Sequence, residues 1–259
     1  MNRLPIGVRI LAFLSFGFVS LPLLSLLWRV PWPRLLTLVA SDTVTDALFL
    51  SLTSSVLAAL LALALGVPLA LQLSKMSGFA ASIARAVVVL PMILPPVVGG
   101  AALLFAFGRN GLVGSFVADV SGVVLPYSIS GVVLANTFVA LPFVVITVEG
   151  ALRAIDPRYA LAASTLRANS SAITFRVVLP MVRPAVIAAG FIAWARALGE
   201  FGATITFAGN IQGKTQTLPL AVFVALESDR EAALAMSVLL ISVSLIVLVS
   251  LRERWWPVR

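Results

Sequence analysis

Six long apolar stretches run through this chain of 259 residues, and they limit its fold more than any other feature. A helix needs about 20 mostly apolar residues to cross a bilayer, because no water is present there to satisfy backbone hydrogen bonds. The chain is also 61% apolar and only 11% charged, unlike a soluble domain. We predict an all-α membrane protein whose six transmembrane helices lie at 10–28, 47–73, 86–107, 129–148, 186–207 and 232–251.

The distribution of basic residues predicts the orientation of these helices. Cytoplasmic segments of membrane proteins carry an excess of Lys and Arg. With both termini inside, twelve of the eighteen basic residues fall on inner segments and five on outer ones, and Arg196 lies within a span. This predicts an N-in, C-in, multi-pass domain over residues 1–259. It also explains the net charge of +8 by topology, so we expect a lipid bilayer as the surroundings and no nucleic-acid partner.

The side-chain chemistry excludes most enzyme classes. The chain has no Cys and no His, which removes disulfides, thiol nucleophiles, imidazole bases and His/Cys metal sites. An intramembrane phosphatase or lipid transferase needs clustered acids, or Ser with a base, at membrane depth. The only acid deep in a predicted span is Glu200, and it lies four residues after Arg196. We expect no catalytic residues, no metal site and no cofactor in this chain. A secondary transporter, which would need an ion-coupling site, remains an alternative.

The inner segment 149–183 is too long for a simple turn, and it carries a helix-start signal. Asp156 is suited to an N-cap, because its carboxylate accepts backbone N–H groups that lack partners. Pro157 is suited to the first helical position, where its missing N–H costs nothing. We therefore predict a short amphipathic helix at the cytoplasmic surface, after which the chain turns near Pro180 and Pro184 into the fifth span.

The same segment resembles the cytoplasmic loop of permease subunits from binding-protein-dependent ABC importers. That family carries the pattern E-A-A-x3-G-x9-I-x-L-P between two spans. The spacing fits throughout, although Leu161 replaces the Glu and Arg167 replaces the Gly. In the family this loop forms a coupling helix that docks on the ATPase subunit. The resemblance implies such a role for Asp156, Pro157, Tyr159, Ala162, Ala163, Leu166, Arg167, Ala168, Leu179 and Pro180.

Two further stretches, 90–114 and 197–220, resemble the molybdate branch of this family, whose relatives carry sulfate, thiosulfate and tungstate. The resemblance implies a type I importer permease fold in the inner membrane of a prokaryotic cell. It also implies three kinds of partner: a second copy of the chain, two ATPase subunits that hold ATP and Mg, and an extracytoplasmic oxyanion-binding protein. The expected cargo is molybdate, with tungstate, sulfate or thiosulfate as alternatives.

Proline and glycine in the third span predict an interrupted helix. Pro91, Pro95 and Pro96 remove backbone donors, while Gly99 and Gly100 allow close approach of another backbone. Interrupted helices at membrane depth are tolerated where protein or a water-filled cavity supplies partners. This stretch is therefore either a wall of a translocation pathway or a structural kink.

Arg196 and Glu200 are expected on one face of the fifth span, close enough to pair. A charge at this depth is costly and usually faces a cavity, but a self-neutralised structural pair is the competing interpretation. Thr204 continues the same face. The candidate pathway or gate residues are Pro95, Pro96, Gly99, Arg196, Glu200, Gly202 and Thr204.

The sequence AGNIQGKT at 208–215 is close to the phosphate-binding pattern G-x-x-x-x-G-K-[ST], with Ala in place of the first Gly. That pattern binds phosphate only between a buried strand and a helix N-terminus. Here it follows a predicted span on the outer side of the membrane. We therefore predict that the stretch does not bind nucleotide, and that the energy source is another chain.

Overall fold

The computed structural model describes residues 5–250, without the side chains of residues 247, 248 and 250. The described part contains helices and connecting turns and no strand. The helices are α1 (Ile6–Trp28), α2 (Leu35–Val39), α3 (Asp42–Lys75), α4 (Gly78–Ile93), α5 (Pro96–Phe107), α6 (Gly114–Ser121), α7 (Ile129–Arg153), α8 (Arg158–Thr165), α9 (Ser170–Ile173), α10 (Leu179–Leu198), α11 (Gly202–Ala208), α12 (Leu218–Ser228) and α13 (Arg230–Ser250). A 3₁₀ turn, Trp32–Arg34, precedes α2, and a π-helical turn, Thr174–Val178, joins α9 to α10.

Four helical runs of the described residues are long and apolar enough to cross a membrane. They are α1, α3, α7 and the run Ser170–Leu198, and the bent pair α4 and α5 provides a fifth candidate. Helix α13 coincides with the sixth predicted span, whose last residue, Leu251, lies outside the described residues. Six spans and the N-in, C-in orientation therefore stay predictions.

The core is built where α3, α7 and α10 pack together. Small residues line this contact, as is usual where helices associate in a membrane by close packing of their backbones. Ala58, Ala62, Ala140, Ala189 and Ala193 are fully buried in it. A methyl group at Gly66 of α3 would lie 2.8 Å from Cγ1 of Val144, so that position has no room for a side chain.

The third and fifth predicted spans are both interrupted. The chain bends by 116° between α4 and α5, as the prolines there predict. The prediction of one continuous helix over 186–207 was wrong, because α10 ends at Leu198 and α11 begins only at Gly202. No proline marks this second break, and its physical cause is the capping contact of Glu200 described below.

The segment between α11 and α13 holds a helix that hydrophobicity alone did not predict. Helix α12 is 11 residues long, too short to span a bilayer, and it packs on α3 and α13 with Leu218 and Ala221 buried. The hydroxyl of Ser51 on α3 accepts a hydrogen bond from the backbone N–H of Leu218 at 2.6 Å. This contact fixes the start of α12 against the core.

Candidate translocation pathway and coupling segment

The two interrupted spans meet at their breaks. Gly202, the first residue of α11, lies against Pro96, the first residue of α5, and a methyl group at Gly202 would come within 2.5 Å of Cβ of Pro96. Farther along α5, a methyl group at Gly100 would lie 2.8 Å from the backbone oxygen of Ala203. The half-helices α5 and α11 therefore pack backbone to backbone. Gly99 is also buried, against the ring of Phe138 on α7.

Glu200 lies in the second break and stabilises it. One carboxylate oxygen accepts the backbone N–H of Ala203 at 2.9 Å, which caps the first turn of α11. The other oxygen pairs with Nη2 of Arg196 at 2.6 Å. The Glu200 side chain is 1% exposed and that of Arg196 is 30% exposed. Of this pair, the guanidinium is therefore the group with an open face, and the carboxylate is used inside the fold.

Thr204 is fully buried and does not share an open face with Arg196. Its hydroxyl donates to Oδ1 of Asn136 on α7 at 3.1 Å. Asn136 is likewise buried, and sequence reasoning missed it. The available signal was an amide side chain in the middle of an apolar span, where a polar group needs a partner. This hydrogen bond joins α11 to α7, and the close backbone approach at Gly100 joins α11 to α5.

The helix of the predicted coupling segment, residues 149–183, begins one residue later than its sequence signal predicted. Pro157 occupies the N-cap position and α8 starts at Arg158. Asp156 accepts the backbone N–H of Arg158 at 2.9 Å and forms an ion pair with its guanidinium at 2.6 Å. The side-chain contact, and then the backbone contact, lower the pKa of the Asp156 carboxyl below its ordinary value. Asp156 thus organises the turn before the helix instead of capping it directly.

Helix α8 ends in a Schellman motif centred on Arg167. The backbone N–H of Ala168 donates to the oxygen of Ala163 at 3.2 Å, and that of Arg167 donates to the oxygen of Ser164 at 3.0 Å. The motif requires a left-handed residue at the position that glycine usually occupies. Arg167 has φ +60° there. Residue 167 must therefore adopt a left-handed conformation, which the glycine of the family pattern adopts at little cost.

The remaining residues of the segment divide between an exposed and a covered side. Tyr159, Leu161, Ala162 and Leu166 are exposed, with Leu166 at 83%. Ala163, Ala168 and Leu179 are partly covered, and Pro180 is exposed in the first turn of α10. Leu161 and Leu166 stay exposed beside the polar Arg158, Ser164 and Thr165, and exposed apolar side chains outside the core are a feature of surfaces that another protein covers.

An ion cluster that sequence reasoning missed lies where the coupling segment leaves α7. Oε1 of Glu149 contacts Nε of Arg85 on α4 at 2.7 Å and Nε of Arg153 at 3.0 Å. Arg85 also donates through Nη2 to the backbone oxygens of Leu73 and Met76, at 2.8 and 3.2 Å. The C-terminal end of α3 is thereby joined to α4 and α7. Charges 64 residues apart gave no sequence signal of this contact.

The stretch 208–215 does not form a phosphate-binding loop. It follows helix α11, and the backbone N–H groups of Lys214, Thr215 and Gln216 all donate to the oxygen of Ile211. The buried Thr215 hydroxyl accepts the N–H of Ile211 at 2.9 Å. The amides that would surround a phosphate are therefore used to close the loop on itself.

Comparison with known proteins places this architecture in a family. Residues 62–254 match the binding-protein-dependent transport system inner membrane components. The chain belongs to this family and is a permease of an ABC importer. It is 42% identical over 251 residues to the molybdenum transport system permease protein ModB of Mycobacterium tuberculosis, a match that covers 97% of this chain and 95% of the relative. It is 34% identical over 224 residues to the sulfate transport system permease protein CysT of Salmonella typhimurium, covering 86% and 80%.

A solved structure supports the fold. A chain of a bacterial alginate ABC transporter, crystallised with its periplasmic protein bound to an alginate pentasaccharide, superposes with a TM-score of 0.75. The match covers 96% of this chain and 94% of that one at 17% sequence identity. At this identity the likeness concerns the fold alone.

Proposed function

We propose that this chain is the membrane-spanning subunit of an ATP-driven importer of a tetrahedral oxyanion, and that the oxyanion is molybdate. The observation that carries the proposal is the 42% identity to a molybdenum permease, which extends over nearly the whole of both chains. Two copies would enclose the pathway, two ATPase subunits would hold ATP and Mg, and an extracytoplasmic protein would deliver the anion. This chain itself performs no covalent chemistry.

The geometry of the two breaks supports an anionic cargo. Arg196 carries the charge with the open face, while the Glu200 carboxylate beside it is buried and already hydrogen-bonded to Ala203. Helix α5 begins at Pro96, which lies against Gly202 at the second break. No side chain caps its first turn, so the positive end of its backbone dipole is not neutralised there. Half-helices with such ends recur at anion pathways in transporters. An anion must leave a pathway as well as enter it, so its binding there must be weak. A single guanidinium that is already paired with Glu200 would bind an anion weakly.

The geometry of the coupling segment supports docking of an ATPase subunit. Helix α8 has its own start signal and its own C-terminal motif, so it is a preformed element and not a loose linker. Its exposed side carries Leu161 and Ala162, and its C-terminal end is connected through α9 and the π-helical turn to α10. A push on α8 would therefore reach Arg196, which lies near the far end of α10.

The proposal is tested by reconstituting the permease with its ATPase subunit and its binding protein in vesicles. We expect ATP-dependent accumulation of molybdate, measured by mass spectrometry of molybdenum. Placing a charge on the exposed side of α8, as Ala162→Glu, should reduce uptake and stimulated ATP hydrolysis at least tenfold while the chain still inserts. Ser171→Glu, an exposed position outside α8, is the matched control. Absence of ATP-dependent uptake by the wild-type complex would refute the proposal.

Sulfate is the second candidate cargo, because the chain also aligns with a sulfate permease over most of its length. The same vesicles decide between the two anions. Uptake of molybdate should persist in a hundredfold excess of sulfate if molybdate is the cargo. Loss of molybdate uptake in sulfate, together with accumulation of labelled sulfate, would assign the importer to sulfate.

A further inference from the structure

A cleft of about 290 Å³ opens beside the ion cluster at the end of α7. Its polar end is formed by Arg85, Glu149 and Arg153, and its apolar part by Leu73, Val88, Val89, Val145 and Ile146. We infer that this cleft binds the phosphodiester head group and upper acyl chain of an anionic membrane phospholipid. The inference does not depend on the transported anion or on the ATPase subunit.

The charges in the cleft do not balance. Two guanidinium groups lie against one carboxylate, and Glu149 is the only acid that lines the cleft. Arg85 uses Nε and Nη2, and Arg153 uses Nε. The other donors of both side chains have no hydrogen-bond partner among the described residues. One phosphodiester would supply the missing negative charge and accept from these donors, in a geometry that guanidinium groups favour.

The order of the polar and apolar groups along the helices matches the order of groups in a phospholipid. On α4, Val88 and Val89 lie one turn beyond Arg85 toward the middle of the span. On α7, Val145 and Ile146 lie one turn before Glu149, also toward the middle. The charged end is therefore at the edge of the membrane, beside the coupling segment, and the apolar groove extends into the hydrocarbon. Basic pockets of this kind between helices are characteristic head-group sites.

Exposure of the groups agrees with this assignment. Arg153 is half exposed, so a head group can reach it from the membrane surface, whereas Glu149 is 10% exposed and keeps both arginines in place. A free oxyanion would satisfy the charge equally well. It has no chain to cover the valines and Ile146, and for that reason we assign the site to a lipid.

The test uses the purified full-length permease in a mild detergent and native mass spectrometry with phosphatidylglycerol, phosphatidylcholine or orthophosphate added. We expect the wild type to retain phosphatidylglycerol in preference to phosphatidylcholine. Arg153→Gln should weaken that binding about fivefold, the change expected for one basic side chain near an anionic head group. Arg176→Gln removes an exposed arginine outside the cleft and should behave as the wild type.

A second variant separates a lipid from a free anion. Ile146→Trp fills the apolar groove without changing its charge and should also release phosphatidylglycerol. Equal retention of the two lipids by the wild type, or full binding by Arg153→Gln, would overturn the inference. Displacement by orthophosphate with no effect of Ile146→Trp would assign the cleft to a free oxyanion. If either variant fails to fold, the wild type is labelled with a photoreactive phosphatidylglycerol instead. Labelling of α4 or α7 near the cleft would support the inference, and labelling confined to other helices would overturn it.

Discussion

Gly202 lies directly on Pro96, so that the first residues of two half-helices touch. The contact joins the break in the third span to the break in the fifth. Each interruption leaves backbone groups without helical partners, and protein contacts at the break make such an interruption tolerable at membrane depth. The two breaks therefore form one structural unit, and four predictions concern this unit and the elements around it.

The contact at Gly202 predicts that an added methyl group is costly. Gly202→Ala should lower the stability of the purified protein by about 1 to 3 kcal/mol, because overpacking forces α5 and α11 apart. Thermal unfolding in detergent measures the change. Gly17→Ala is the control, since nothing lies within 4 Å of that position on α1. Equal melting temperatures for wild type and Gly202→Ala would show that the half-helices are not in close contact.

The buried contacts of Glu200 predict that removing either Glu200 or Arg196 impairs assembly. Glu200→Ala leaves the N–H of Ala203 without its cap and Arg196 without its partner, and breaking a buried pair costs on the order of 3 to 5 kcal/mol. Arg196→Ala leaves the buried Glu200 carboxylate without its cation, so it should also lower the yield of assembled complex, and it should reduce anion uptake as well. The yield of assembled complex and the uptake rate are the measurements.

The double variant of this pair separates the charge from the cap. Removing both side chains should recover the part of the loss that is due to an unpaired charge, while the missing cap on Ala203 keeps the yield below wild type. Full recovery of yield in the double variant would show that the hydrogen bond to Ala203 contributes nothing.

Arg167 predicts a stabilising substitution. A left-handed conformation costs an ordinary L-residue roughly 1 to 2 kcal/mol and costs glycine little. Arg167→Gly should therefore raise the melting temperature by a few degrees. The neighbouring Ala168→Gly should lower it, because that residue does not have a positive φ. Destabilisation by Arg167→Gly would mean that the arginine side chain makes a contact worth more than the strain.

The loop at 208–215 predicts that its lysine and threonine differ in importance. Lys214→Ala should leave folding and all nucleotide-dependent signals unchanged, because Lys214 is exposed and its backbone N–H still reaches Ile211. Thr215→Val removes the buried hydroxyl that accepts the N–H of Ile211 and should cost about 1 to 3 kcal/mol. Labelled nucleotide bound by the isolated wild-type chain and lost in Lys214→Ala would contradict this account.

The sequence predicted those features that depend on local chemistry. Prolines that cannot donate hydrogen bonds predicted the bend before α5, and Asp156 with Pro157 predicted the start of α8 to within one residue. The second break was not predictable, because Gly199 and Phe201 are compatible with a continuous helix until the carboxylate of Glu200 is seen to cap Ala203. The contacts of Glu149 and Asn136 were missed for a related reason. Arg85 lies 64 residues from Glu149 and Thr204 lies 68 residues from Asn136, and each pair is brought together only by the packing of α4 and α11 on α7.

The cap on α11 also means that the two halves of the fifth span are held by different contacts. Glu200 caps the start of α11, and α5 and α7 contact that half-helix at Gly100 and Thr204, so α11 is held by its cap and by two neighbouring helices. The other half, α10, packs with α3 and α7 in the core and continues into α11 through residues 199–201. A change in the angle between α10 and α11 would be taken up by residues 199–201, and the guanidinium of Arg196, about one turn from them, would move with α10.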